Sequence, residues 1–270
     1  MVIEKAGTES EDSTLNAVVL GSGQPPLVIL HGWGQSLEVM RPLGELFAKY
    51  REVHLIDLPG FGNSPKPPAD WDTNQYADRI LRYCQEKKLE NIDLLGHSFG
   101  GRISVRMAYK KPELLRSLIL VNSHGIRIAQ PFPKNIRPQL LKSASGWCKT
   151  FDKIFGSKIF ETWFVPRYGS RDYKSAGAMK NILVKTVNED VSAQAKEIRL
   201  PVLLLWGGED TETPVAIAEK FHELMRNSKL VVLPGKDHYP FMGESAHLCA
   251  YHIIGFLNSL PQSERVPVNA

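Results

Sequence analysis

"IDLLGHSFGGRISVRMAYKKP", residues 92–112, decides how the rest of the chain is read. A mostly apolar run from Ile92 to Leu95 stops at Gly96, and a helix-like pattern begins by Gly100. Between them stands Ser98, inside Gly96-His97-Ser98-Phe99-Gly100-Gly101. Glycine at a strand-to-helix corner carries an entropic cost, so so many glycines imply a turn too tight or too crowded for side chains. The pattern is G-x-S-x-G. With a strand before it and a helix after it, it reads as a nucleophile elbow, which holds the serine hydroxyl above the sheet. The following helix N-terminus offers unpaired N–H groups and a positive dipole to a developing oxyanion.

Working outward, six other short runs end in turns. They are "LNAVVLGSG" near residue 15, "PLVILHG" from Pro26, "VHLIDLPG" from Val53, "SLILVNS" from Ser117, "PVLLLWGGED" from Pro201 and "KLVVLPGKDH" from Lys229. Most are apolar at consecutive positions, as in parallel strands covered on both faces. Helical patterns lie between them, at Glu38–Tyr50, Asn74–Lys88, Gly100–Lys111, Val215–Met225 and Glu244–Leu260. This alternation predicts a doubly wound, mostly parallel α/β sheet. It lapses once, over 124–198, where no convincing strand appears. That stretch, entered through Pro131, Pro133 and Pro138, is too long for a plain crossover. It reads as a helical cap inserted after about the sixth strand, into a core made of 1–123 and 199–270.

A serine nucleophile needs a base. His238 ends the last strand run, in "LPGKDHYPF", and parallel strands finish at one common edge where loops converge. His222, His247 and His252 fall on helical patterns and read as surface or packing residues. His54 opens a strand, and His97 is expected to point away from its neighbour Ser98. The acid that orients the base is expected at Asp210, which ends the preceding strand in "LLLWGGEDTETP". Its rivals are Glu209, Asp237 beside the histidine, and Asp57 in an earlier strand-end turn. Position 122, another strand end where an acid could stand, is Asn. The oxyanion donors are expected to be the backbone N–H groups of Phe99, directly after the nucleophile, and Trp33, in the glycine turn "HGWGQS". The Trp33 side chain is placed to line the pocket.

HGWG, DLPGFGNS, GHSFGG, GGEDTETP and PGKDHYPF, in that order, resemble the α/β-hydrolase superfamily from about Leu15 to the last helix. The resemblance implies an eight-stranded, mostly parallel sheet. It also implies Ser98, Asp210 and His238 as catalytic triad, with Trp33 and Phe99 as oxyanion hole. Serine as nucleophile argues against dehalogenases and epoxide hydrolases of this fold, which use aspartate there. "HGWGQS" lacks the second small-residue pair of the C–C bond hydrolases. "HGWG", "DLPGFGNS" and the small cap are also similar to the carrier-protein methyl ester esterases, although that group has Trp before the serine where this chain has His97. The implied activity is a carboxylesterase-type serine hydrolase acting through an acyl-enzyme on small to medium acyl esters. A ligand receptor on the same fold would spare turnover, and a perhydrolase would use the same triad with peroxide.

Composition narrows the setting. A chain of 270 residues with 43 % hydrophobic content can bury a sizeable core. Its net charge of +4 does not argue for nucleic acid. The charge is uneven: 124–198 holds 13 Lys and Arg against 6 acids, so the rest is net −3. A basic cap suits an acidic carrier protein or anionic substrate, and equally an ordinary solvated helical face. Trp147, Phe151, Phe155, Phe160, Trp163, Phe164 and Tyr168 are expected to form mainly the cap core, with one or two facing an apolar acyl pocket. Cys84, Cys148 and Cys249 show neither metal-ligand spacing nor a disulfide framework, which suits a reducing, cytoplasmic setting. The polar, acid-bearing N-terminus is not expected to form the apolar core of a signal peptide, and no run approaches the roughly 18 apolar residues of a membrane span. No metal or other cofactor is expected.

Overall fold

The computed structural model describes residues 14–128 and 171–261, with 147, 150, 152–153 and 157–158. Seven strands form one sheet: β1 (Ala17–Leu20), β2 (Leu27–Leu30), β3 (Val53–Ile56), β4 (Ile92–His97), β5 (Leu115–Val121), β6 (Val202–Gly207) and β7 (Ser228–Leu233). Their spatial order is β1-β3-β2-β4-β5-β6-β7. Only β1 runs antiparallel, against β3; every other pairing is parallel.

The strand count corrects the eight strands implied by the resemblance to seven among the described residues. The seven apolar runs of the sequence each become one strand. The eighth rested on the resemblance alone, and residues 1–13 lie outside the described residues. Residues 122–201 connect β5 to β6.

Consecutive apolar residues still sort into two faces with a period of two. Leu27, Ile29, Val53, Leu55, Leu95, Ile119, Val121, Leu203 and Leu205 share one core with α1 (Leu37–Phe47) and the C-terminal helix Ser245–Ser259. The opposite face is covered by α2 (Thr73–Glu86) and α3 (Phe99–Lys110), which pack on each other and, through α3, on the sheet. The interior strands β2, β3, β4 and β6 are buried throughout, whereas the edges β1 and β7 expose Val19 and Val232. Burial on both faces is why these strands read as apolar blocks.

Strand order places the site. From β2 the chain crosses to β3 on one side, and from β4 to β5 on the other. β2 and β4 therefore border the point where winding reverses, and a crevice opens beyond their carboxyl ends. The glycine turn after β2 and the elbow after β4 both project there.

The chain divides into two compact units, residues 1–127 with 189–270, and residues 128–188. The second unit has α4 (Arg171–Ser175), a 3₁₀ turn at Gly177–Met179 and α5 (Lys180–Val187), with Ile182, Leu183 and Thr186 buried. Within the first unit the two neck segments are stitched together. Val191 N–H donates to Gly125 O at 2.8 Å, and Arg127 N–H to Asp190 Oδ2 at 3.1 Å. Trp147, expected in a cap core, is 77 % exposed; Phe151, Phe155, Phe160, Trp163, Phe164 and Tyr168 lie outside the described residues, as does Cys148. Among the described residues, no helix is long and apolar enough to cross a membrane, and no cluster of His, Cys, Asp and Glu could hold a metal ion. Cys84 and Cys249 are free and buried, with their thiols pushed up to about 12 by desolvation.

Candidate active site

Ser98 sits between β4 and α3 with φ 51° and ψ −110°, a left-handed conformation that side chains rarely adopt. Three anchors impose it. Ser98 N–H donates to Val121 O at 3.2 Å, His124 N–H donates to Ser98 O at 3.1 Å, and Gly100 N–H donates to His31 O at 3.1 Å. Two glycines make the approach possible. A Cβ on Gly96 would stand 2.6 Å from Gly100 O, and one on Gly100 would stand 2.5 Å from Leu30 O. The elbow is therefore wedged against the end of β2, and its strain is held by packing. Replacing Ser98 by glycine removes the strain and should raise stability by about 1 kcal/mol over Ser98→Ala. For a domain of this size, that is a gain of about 2 °C in melting temperature. Thermal unfolding of both variants reads it; equal melting temperatures would mean the backbone stores nothing there.

The turn after β2 supplies the facing wall. Gln35 closes it by accepting the Gly32 N–H at 3.1 Å. His31 below it is neutral: Nδ1–H donates to Gly32 O at 2.7 Å, while Nε2 accepts the Leu58 N–H at 3.0 Å. Burial lowers its pKa to about 4. Among the described residues, neither the Trp33 N–H nor the Phe99 N–H donates a hydrogen bond within the protein. Their rings meet edge-on at 5.3 Å, with Phe61 4.9 Å from Trp33 and Tyr76 5.2 Å from Phe99. Two free amides stand beside an aromatic wall, with the Trp33 ring part of that wall.

On the other side of the elbow, the ends of β6 and β7 bring Asp210 and His238 together. His238 Nδ1–H donates to Asp210 Oδ2 at 2.8 Å, and both residues are 5 % exposed. Asp210 Oδ1 accepts the N–H groups of Glu212 and Thr213, each at 2.8 Å, so the carboxylate caps its own turn. Asn122 Nδ2 and the Thr213 hydroxyl also donate to Oδ2. Burial alone would raise the carboxyl pKa. The hydrogen bonds from His238, Asn122 and Thr213 outweigh it and hold the group well below the usual carboxylate range. An ionised Asp210 favours the neutral His238 tautomer that carries its proton on Nδ1.

Ser98 Oγ has no hydrogen-bond partner among the described residues. The elbow reaches His238 through His97, whose ring lies 4.8 Å from that of His238. His97 does not hydrogen-bond Ser98 and packs against the His238 ring instead: Nδ1–H donates to Val121 O at 3.1 Å, and Phe241 packs edge-on at 4.7 Å. Full burial, then the nearness of His238, pushes its pKa well below the ordinary value.

The rival acids have other tasks. Asp237 accepts the Tyr239 N–H at 2.9 Å. Glu209 is exposed, with its backbone N–H on Lys236 O at 2.8 Å. Asp57 accepts the Leu37 N–H and the Asn63 N–H, at 2.7 and 2.8 Å, and orders the β3 turn. His54 pairs with Glu52 and Tyr83, and His222 with Ser228, all remote from the elbow. Two contributors were missed from sequence, Asn122 and Thr213. Asn122, at φ 44°, also accepts the Gly207 N–H on Oδ1 at 3.2 Å, so it ties β5, β6 and the acid together. The polar strand end at Asn122 and a threonine three residues after the acid were the available signals.

Known proteins match this architecture. A family model of the α/β hydrolase fold matches residues 25–245. A pimeloyl-[acyl-carrier protein] methyl ester esterase of Shewanella woodyi is 30 % identical over 247 residues, covering 85 % of this chain and 93 % of that one. Lipase 3 of Moraxella sp. is 28 % identical, covering 80 % of this chain and 72 % of its own. Among solved structures, an esterase from Exiguobacterium antarcticum superposes with TM-score 0.70 at 22 % identity, over 92 % of this chain and 96 % of that one, a likeness of fold. The chain belongs to the α/β hydrolase fold family and is an ester hydrolase of its esterase and lipase kind.

Proposed function

We propose that Ser98 is the nucleophile, His238 the general base and Asp210 the acid that orients it, with the Trp33 and Phe99 amides as oxyanion hole. The observation that carries this reading is the buried Asp210–His238 pair at 2.8 Å, beside a serine in a strained elbow. In this mechanism Ser98 Oγ attacks the ester carbonyl as its proton passes to His238 Nε2. The two amides receive the tetrahedral oxyanion. Collapse expels the alcohol, which takes the proton from Nε2 and leaves an acyl-serine. Water then attacks, giving its proton to Nε2, and the acid is released as Ser98 is reprotonated. The Ser98–His238 hydrogen bond closes when substrate is bound, as such bonds commonly do.

In this proposal residues 124–198 are a cap inserted in the core, and the aromatic wall of Trp33, Phe61 and Tyr76 favours small to medium apolar acyl groups. Two cysteines free in the fold agree with a reducing, cytoplasmic setting. A second reading is a methyl ester carried on an acidic carrier protein. It is favoured by the Shewanella relative and by the net +7 of residues 124–198. The test is trapping with a nitrophenyl alkylphosphonate: one phosphonyl group per chain, on the peptide containing Ser98, with hydrolysis of nitrophenyl butyrate lost in parallel. Labelling elsewhere, or activity surviving full labelling, would overturn the assignment. Comparing a free methyl ester with the same acyl group on a carrier protein separates the two readings.

A further inference from the structure

The Nε2 edge of His238, where a leaving alcohol must pick up its proton, is faced by a carboxylate that the mechanism does not use. Glu212 Oε2 lies 3.5 Å from His238 Nε2. Its backbone is pinned: the Glu212 N–H donates to Asp210 Oδ1 at 2.8 Å, and the next residue, Thr213, is fully buried. The side chain is 56 % exposed, so it stands at the mouth and keeps its charge in contact with water. The surrounding rim has the same sign. Glu209 and Asp237 are exposed on the same two loops, and Lys236 is the one Lys or Arg within residues 208–214 and 234–240.

We propose that Glu212 sets the charge preference of the alcohol side, admitting neutral and cationic alcohols and disfavouring alcohols that carry a carboxylate. The inference rests on His238 being the base. During expulsion the alcohol oxygen sits within hydrogen-bond distance, about 3 Å, of Nε2. Glu212 is on that same nitrogen, so the alcohol substituent passes within a few ångströms of the carboxylate, closer than the roughly 8–10 Å over which salt screens. A small neutral alcohol such as methanol meets no penalty there, and neither does a quaternary ammonium. An anion is repelled. Because Glu212 is more than half exposed, water weakens the effect, and one charge is expected to change kcat/KM by about tenfold rather than by thousands.

The experiment holds the acyl group constant and varies the alcohol, using the butyrate esters of choline, 3,3-dimethylbutanol and glycolic acid. The wild-type enzyme should favour the choline ester over the glycolate ester. Glu212→Gln should lower that ratio of kcat/KM about tenfold, and Glu212→Lys should lower it further. Raising the salt concentration should shrink the wild-type ratio but leave that of Glu212→Gln nearly constant. A purely structural role for Glu212 would slow all three esters together. A wild-type preference for the glycolate ester, or one ratio shared by all three proteins, would overturn the proposal. Ser98→Ala is the control that separates the two levels. If it hydrolyses these esters like wild type, the reading of the site falls. If it is inactive while the Glu212 variants keep the wild-type ratio, only the role of Glu212 falls.

Discussion

Ser98→Ala should lower kcat on nitrophenyl butyrate by about 10⁴-fold or more, and His238→Ala by a similar factor. The alanine cannot form the acyl-enzyme, so what survives is water attack on a carbonyl polarised by the oxyanion hole. The double variant Ser98→Ala with His238→Ala should be no worse than either single change, because the two groups act as one unit. Asp210→Asn tests the tautomer. An amide can offer its NH₂ to Nδ1, which stabilises the form protonated at Nε2, the wrong nitrogen for a base. The expected loss is again about 10⁴-fold. Steady-state kinetics on purified proteins, with circular dichroism to confirm folding, measure all four. Any single variant that keeps more than about 1 % of wild-type kcat removes its residue from the mechanism.

Much of this site was legible because its parts lie in local patterns. The elbow announces itself by glycines that two backbone contacts demand, at Gly96 and Gly100. Asp210 and His238 could be paired across the intervening chain because β6 and β7 are both apolar blocks ending in turns, and parallel neighbours end together. The remaining contributors act through contacts that no spacing encodes. Asn122 meets Asp210 across 88 positions, so from sequence it registered only as a missing acid. Thr213 is one of two threonines flanking Glu212, and only the turn made by Asp210 selects which is buried. A tight turn sends adjacent side chains to different sides, so His97 was expected to point away from Ser98; no spacing reveals that it then lies against the ring of His238. The eighth strand failed for a different reason: it came from the resemblance, with no apolar run of its own.

The same buried histidines predict an early loss of stability in acid. His31 and His97 are each 0 % exposed and neutral, held by carbonyls that accept their Nδ1–H. Their folded pKa values are depressed, to about 4 for His31 and well below the ordinary value for His97. In the unfolded chain both return to about 6.5. Above that pH neither state binds a proton at these rings and they contribute no slope. As pH falls below it, the unfolded chain takes up protons that the folded protein refuses: two at these rings and a third at His124, whose pKa burial likewise lowers to about 4. Stability therefore falls. Each ring contributes up to about 1.4 kcal/mol per pH unit. Between pH 6.5 and 4.5 the three together remove a large share of the roughly 5–15 kcal/mol that a domain possesses. Asp210 works in a lower window. Its carboxyl is also depressed, so its contribution stays whole down to about pH 4, the unfolded value, and is lost only as pH falls further. Urea unfolding at pH 7.5, 6.5, 5.5 and 4.5 should therefore show a plateau followed by a steady fall. His97→Phe keeps a ring against Phe241 and removes one of the three titrations, so it should lessen that slope by about a third. A wild-type stability that stays level from pH 6.5 to 4.5 would mean that these rings take up protons in the fold, and that the neutral floor beneath His238 is wrongly assigned.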